Sequence, residues 1–136
     1  MCRLVASHLS KLASQEGDES TGVLILVSSI SHEDGQTGQT CYASTKGAIA
    51  SLALPMARDL ARHRIRVIAI APGVFESPLT QRLGKKAMQV LIAGTEHPAR
   101  LGSGTDFAQA VESVIKNEMW NGCVLRLDGA VRLGKL

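Results

Sequence analysis

The sequence predicts an α/β fold in which a parallel sheet of about three strands is flanked by helices. Three short apolar runs, at 23–27, 66–71 and 123–127, have the composition of strands, and segments with helical periodicity separate them. The first run contains only valine, leucine and isoleucine, which is typical of a strand covered on both faces. This alternation in a chain of 136 residues favours one domain with right-handed crossovers between parallel strands.

Helices are predicted on both sides of the first strand. Residues 2–13 carry apolar side chains at helical spacing and are followed by the polar stretch 14–21. The region 31–40 is rich in glycine, glutamine and acidic residues and is predicted to be a loop. A second helical stripe runs from 41 to 63, and Pro55 within it is expected to kink or locally open that helix.

The second half of the chain predicts one more helix and a long irregular segment. Ser103 and Asp106 have the spacing of a capping box, and the apolar positions after them predict a helix that ends near Asn121. Residues 74–101 contain scattered glycines and prolines among short helical patches. A segment of this length in a compact domain is usually a lid or a substrate-binding element.

Composition argues against several classes of partner. The net charge of +3 is dispersed among acidic residues, without a basic run interleaved with aromatic residues, so nucleic acid is not an expected partner. The three cysteines and four histidines lack the spacing of a disulfide framework or a metal site, so no metal is expected. The longest apolar run is far shorter than the ~20 residues that cross a bilayer, so no membrane span is expected.

Tyr42 and Lys46 have the most informative spacing in the chain. They lie four residues apart at the start of the predicted helix, so their side chains leave the same face about one turn apart. A phenol is a poor base near neutral pH, but a neighbouring ammonium stabilises its ionised form. The pair is then able to exchange a proton with an alcohol or a carbonyl. Taken alone, the same spacing also fits an edge tyrosine beside a solvated lysine.

Ser29 favours the catalytic interpretation because it follows the first predicted strand. Ligands of open parallel sheets bind beyond the carboxyl ends of the strands. Ser29 lies at such an end, and the loop after it brings Tyr42 to the same crevice. We therefore predict that a hydroxyl, a phenol and an ammonium converge on one pocket. The GxSxG elbow of hydrolases does not surround Ser29, so nucleophilic catalysis is not expected.

The motifs resemble the signature of the short-chain dehydrogenase/reductase family in order and spacing: VSS at 27–29, YASTK at 42–46 and PGVFESP at 72–78. Nearly the whole chain is similar to the type-2 3-hydroxyacyl-CoA dehydrogenases of that family, which also act on hydroxysteroids. The resemblance implies the C-terminal part of a doubly wound, Rossmann-like sheet. It also implies hydride transfer at a secondary alcohol in fatty acid metabolism, with NAD as the expected cofactor and NADP as the alternative.

The resemblance also assigns roles to individual residues. Tyr42 would be the general acid/base, Lys46 would support it and hold the nicotinamide ribose, and Ser29 would bind the substrate oxygen. Gln39 is a candidate substrate contact, and an ordinary loop glutamine is the alternative. The positions that match cofactor contacts are Tyr42, Lys46, Pro72, Gly73, Phe75 and Ser77, where Ser77 replaces a frequent threonine.

The chain departs from the family pattern because no glycine-rich turn follows a first strand. Gly102-Ser103-Gly104 follows a loop and does not fit that role. Residues 1–136 are therefore expected to form a single truncated catalytic domain without the N-terminal dinucleotide-binding half. The chain is then either an NAD-dependent enzyme or a catalytically inactive truncated isoform or fragment that associates with full-length subunits. The resemblance further implies an acyl-CoA or steroid substrate, a homo-oligomer, and a mitochondrial or otherwise cytoplasmic location.

Overall fold

A computed structural model of the protein describes residues 1–12, 20–78, 80–82 and 84–132. The helices in these ranges are α1 (Cys2–Leu12), α2 (Ser31–Asp34), α3 (Thr40–Leu60), α4 (Lys85–Ala93) and α5 (Gly104–Lys116). The strands are β1 (Gly22–Val27), β2 (Ile65–Pro72) and β3 (Val124–Leu127). Short 3-10 turns, Ala61–His63 and Thr80–Arg82, follow α3 and precede α4. Most of the predicted polar stretch 14–21 lies outside the described residues.

The strands form one parallel sheet in the order β1-β2-β3. Gly22 pairs with Ile65 and Val27 with Ile70, so β1 runs alongside the first six residues of β2. β3 pairs with the last four residues of β2 on its other side. This arrangement confirms the parallel α/β architecture that the sequence predicts.

The core lies on the two faces of β2. Ile65 and Val67 point to the face covered by α3, where they contact Ala57. Ile68 and Ile70 belong to the opposite cluster, which Val114 of α5 completes. The alternation follows from the period of two in a strand, and full burial of both sets explains why β2 is aliphatic without interruption from Val67 to Ala71.

β1 is less buried than the sequence predicted. Leu24 is buried, but most of the strand is only partly covered, and Val27 is exposed. The reason is that, among the described residues, β1 has a hydrogen-bonded neighbour only in β2. An open strand edge of this kind favours association with another chain.

Two further boundaries differ from the prediction. The region 31–40 is not entirely a loop, because α2 occupies Ser31–Asp34. Helix α5 ends at Lys116 rather than near Asn121, because the chain after it turns around the buried guanidinium of Arg66. This guanidinium binds the carbonyl oxygens of Val114 and Ile115 in the last turn of α5 and those of Asn117 and Trp120 after it. Helix α3 matches the predicted second helix and continues through Pro55. No helix among the described residues has the length and apolar character to span a bilayer.

A capping box begins α5, as predicted. The backbone N–H of Asp106 donates to Ser103 Oγ over 3.2 Å, and Asp106 Oδ2 accepts from the backbone N–H of Ser103 over 2.7 Å. Arg100 also donates to both carboxylate oxygens of Asp106, over 2.7 and 3.0 Å. The hydrogen bond from Arg100, followed by those from Ser103, lowers the pKa of Asp106 below its ordinary value of 3.8.

We expect acid to weaken this end of α5. Because the pKa of Asp106 is lower in the folded chain, its stabilising contribution is present above about pH 4 and is lost as the pH falls toward the folded value. Thermal unfolding measured across this range should show a shallower loss of stability for Asp106→Asn than for the wild type. Asp59→Asn, at an exposed position of α3, is the matched control. Equal pH slopes for wild type and Asp106→Asn would contradict this expectation.

Candidate active site

The carboxyl ends of the three strands meet at one edge of the sheet. Beyond β1, the backbone N–H of Ile30 donates to the carbonyl of Pro72 over 3.1 Å. Beyond β2, the N–H of Gly73 donates to the carbonyl of Leu127 over 2.9 Å. These bonds hold the segments after the strands side by side, and the predicted site residues lie in or next to them.

Ser29 is fixed by three contacts with the start of α2. Its Oγ accepts from the backbone N–H of Ser31 over 3.2 Å. Its carbonyl oxygen accepts from the backbone N–H of His32 over 3.0 Å and lies 2.7 Å from His32 Nδ1. Since Oγ is the acceptor in its contact with Ser31, this contact leaves the hydroxyl hydrogen of Ser29 able to donate to a ligand oxygen.

Tyr42 and Lys46 lie in the first two turns of α3, as their spacing predicts. Lys46 Nζ is 5.8 Å from the centroid of the Tyr42 ring. The same ammonium donates to the carbonyl oxygen of Val27, the last residue of β1, over 3.1 Å. Tyr42 remains 47% exposed. The structure thus brings Lys46 to the strand end that Ser29 follows, with the Tyr42 phenol open to solvent.

Gln39 directly precedes α3. Its side-chain oxygen accepts from the backbone N–H of Gln36 over 3.1 Å. The backbone N–H of Gln39 donates to the carbonyl of Gln36 over 3.0 Å. The side chain therefore stabilises the turn that leads into α3. Its amide nitrogen is the part suited to a ligand, and the predicted substrate contact stays a prediction.

The segment after β2 contains the other predicted residues. Gly73 approaches Asp128 so closely that a Cβ on it would lie 3.0 Å from the Asp128 Cα. Phe75 packs edge-to-face on Phe107, with ring centroids 6.1 Å apart. Ser77 Oγ accepts from the backbone N–H of Thr80 over 3.1 Å. Pro72 and Gly73 thus keep their predicted place at the sheet edge, while the Phe75 ring packs on the protein itself.

A pocket of about 120 Å³ lies beside this segment. It is mostly apolar, and the Arg100–Asp106 pair forms part of its wall. It shares Phe75 with the predicted site but is not lined by Ser29, Tyr42 or Lys46. Its lining, which sequence reasoning largely missed, consists of Val74, Phe75, Thr95, Pro98, Arg100, Gly102, Asp106, Leu127, Asp128 and Gly129.

Sequence reasoning also missed the role of Arg126. The guanidinium of this β3 residue contacts Glu33 over 2.7 Å and Asp34 over 2.6 Å in α2, and Asp128 over 2.7 Å. The hydrogen bond to Asp34 is the main reason why the pKa of Arg126 is raised. This cluster ties β3 to the short helix whose first turn fixes Ser29. It has no short sequence motif, because α2 and β3 are far apart along the chain.

Comparison with known proteins identifies the class to which this fold and sequence belong. Residues 1–88 match the family model described as short chain dehydrogenase. The chain therefore belongs to the short-chain dehydrogenase family, as its motifs predict.

Within that family, the chain is similar to 3-hydroxyacyl-CoA dehydrogenase type-2 of Mus musculus and of Homo sapiens. It is 41% identical to each over 131 residues, which cover 96% of this chain and 50% of each relative. The crystal structure of 3-hydroxyacyl-CoA dehydrogenase type-2 from Mycobacterium avium superposes with a TM-score of 0.92 at 38% identity, over 98% of this chain and 51% of that one.

A second solved structure extends the comparison to steroids. It is 7α-hydroxysteroid dehydrogenase complexed with NADH and 7-oxo glycochenodeoxycholic acid, with a TM-score of 0.82 and 26% identity, over 97% of this chain and 50% of that one. The chain thus spans about half the length of the relatives it matches. The structural likeness confirms that its α/β fold corresponds to about half of the Rossmann-like fold of these structures.

Proposed function

We propose that this chain carries the proton-transfer part of an NAD-dependent oxidoreductase that acts on a secondary alcohol or ketone. The single observation that carries the proposal is the position of Lys46 Nζ, 5.8 Å from the Tyr42 ring and 3.1 Å from the Val27 carbonyl, at the strand end that Ser29 follows. The proposed substrate class is a 3-hydroxyacyl-CoA, since the relatives named above carry that name, and a hydroxysteroid is the alternative.

The proposed chemistry divides proton transfer among three side chains. In the reducing direction, Tyr42 donates its phenolic proton to the carbonyl oxygen of the substrate, and in the oxidising direction it accepts the proton of the alcohol. Ser29 donates a hydrogen bond to that oxygen and orients it. Lys46, whose ammonium lies 5.8 Å from the Tyr42 ring, supports Tyr42 in this transfer. The exposure of the Tyr42 ring leaves it accessible to substrate.

A nicotinamide dinucleotide, when bound, supplies or accepts the hydride. The donors present here fit part of such a group, since an ammonium suits the hydroxyls of its ribose. Lys46 and Tyr42 would hold that ribose, and the backbone from Pro72 through Ser77 would lie along its nicotinamide end. NAD is the proposed cofactor and NADP the alternative. The NADH complex of the hydroxysteroid dehydrogenase, a structural neighbour at a TM-score of 0.82, supports this choice.

Partners and location belong to the same proposal. The open edge of β1 favours a homo-oligomer, and the molecular mass in solution, measured by light scattering, tests for it. A mitochondrial location is expected from the similarity to the type-2 dehydrogenases. The alternative function is a catalytically inactive form that associates with full-length subunits. The observation in its favour is that the chain covers only half of each relative.

One assay separates the two functions. The purified chain is titrated with NADH and then given an acetoacetyl-CoA type substrate, while the absorbance of NADH is followed. Saturable cofactor binding with consumption of NADH is the result expected of the enzyme. Absence of binding, together with co-purification with a full-length family member, would instead establish the inactive associating form.

A further inference from the structure

We propose that Ser28 is a positioning residue that fixes the Lys46 ammonium at the mouth of the candidate site. The inference rests on the proposed function, because Lys46 matters for the reaction only if the site is catalytic. Ser28 lies between β1 and Ser29 and is only 2% exposed, so its side chain is out of reach of substrate. It acts through Lys46.

Ser28 joins three elements through two hydrogen bonds. Its backbone N–H donates to the carbonyl of Ile70 over 2.8 Å and thus continues the pairing of β1 with β2. Its hydroxyl donates to the backbone carbonyl of Lys46 over 2.7 Å. The turn of α3 that carries Lys46 is thereby attached directly to the sheet.

A second bond fixes the other end of the lysine. Lys46 Nζ donates to the carbonyl of Val27, the residue before Ser28, over 3.1 Å. Two consecutive residues therefore hold Lys46: Val27 binds its ammonium and Ser28 binds its main-chain carbonyl. A lysine side chain loses much rotational freedom when it is ordered. Because the main chain of Lys46 is bound to the same strand end, fewer positions are available to its ammonium.

The chemical consequence concerns Tyr42. The ammonium lies 5.8 Å from the Tyr42 ring, and its effect on the phenol depends on that separation. If α3 shifts relative to β1, Lys46 Nζ must either leave the Val27 carbonyl or change its distance from Tyr42. The Ser28 hydroxyl opposes this shift, because its hydrogen bond attaches α3 to the residue that follows β1.

The test measures the chemical accessibility of the Lys46 amine. The wild type and Ser28→Ala are treated with an amine-acylating ester, and peptide mass spectrometry gives the modification rate of Lys46 relative to that of the exposed Lys116. In Ser28→Ala we expect this ratio to rise about fivefold, the change that corresponds to one lost hydrogen bond. Ser28→Thr keeps the hydroxyl and should return the ratio toward the wild-type value.

The matched control is Ser31→Ala, the same change at another buried serine. General loosening of the fold would raise the ratio in both alanine variants, whereas the proposal requires a rise in Ser28→Ala alone. If Ser28→Ala does not fold by circular dichroism, Ser28→Cys takes its place, since a thiol is a weaker donor of similar size. An unchanged ratio in Ser28→Ala or Ser28→Cys would overturn the proposal. Labelling needs no cofactor or substrate, so its outcome is independent of the turnover assay.

Discussion

Replacing Tyr42 with phenylalanine is expected to lower turnover of a 3-oxoacyl thioester by at least about 100-fold, because the proposed mechanism uses the Tyr42 hydroxyl as its general acid. Tyr42 is the only tyrosine in the chain, so no other phenol within it can substitute. The aromatic ring remains, and KM should therefore change much less than kcat. Steady-state consumption of NADH at varied substrate concentration gives both constants.

Two further variants distinguish loss of the proton donor from damage to α3. Lys46→Met should also reduce kcat, because it removes the ammonium that the proposed mechanism places 5.8 Å from the Tyr42 ring. Ser44→Ala should leave turnover unchanged, since Ser44 is exposed and its hydroxyl only donates to the carbonyl of Thr40 over 2.8 Å. Wild-type kcat in Tyr42→Phe would reject the assigned role of Tyr42 in a chain that turns over.

Local sequence patterns were sufficient for the strands and long helices. The run predicted at 23–27 is β1 from Gly22 to Val27, and the predicted capping box begins α5. Both features depend on neighbouring residues. Helix α2 was missed because its short turn is stabilised by Arg126, more than 90 residues away in the chain. The buried surface of β1 was overestimated because an aliphatic run does not indicate how many neighbours a strand has.

The candidate site also contains features that local sequence patterns predict and features that they do not. The spacing of Tyr42 and Lys46, and the position of Ser29 after a strand, predict that the three side chains converge. The structure places the Lys46 ammonium at the strand end that Ser29 follows, and the convergence of all three stays a prediction. The contacts of Ser28 and His32 could not be predicted from sequence, although Ser28 lies in the VSS motif, because both side chains contact main-chain carbonyls, which every residue has. Arg126 is not distinguished from a surface arginine by its neighbours in sequence. Contacts that position a site between separate elements therefore require coordinates.

Arg66 makes another contact between separate elements, away from the candidate site, and it leads to the second strong prediction. This β2 residue is 7% exposed, and its Nη1 donates to the carbonyls of Val114 over 2.8 Å and of Trp120 over 3.1 Å. Its Nη2 donates to the carbonyl of Ile115 over 3.1 Å. The last carbonyls of a helix lack partners within it, and the negative end of the helix dipole attracts a cation. The described hydrogen bonds of Arg66 include no carboxylate acceptor. The carbonyls and the dipole at the end of α5 therefore stabilise its buried charge.

Arg66→Met is therefore expected to destabilise the chain by about 3 kcal/mol or more, because one buried and three partly buried carbonyls lose a charged donor while the aliphatic volume is kept. Urea unfolding followed by circular dichroism measures the loss. Fluorescence of Trp120, the single tryptophan, reports on the turn beside Arg66.

Arg66→Lys should recover part of the stability, since one charged donor remains. Arg58→Met, at an exposed position of α3, should change it by under about 0.5 kcal/mol. A loss below about 1 kcal/mol in Arg66→Met would show that water replaces the guanidinium at little cost, so that the end of α5 is determined by its own sequence.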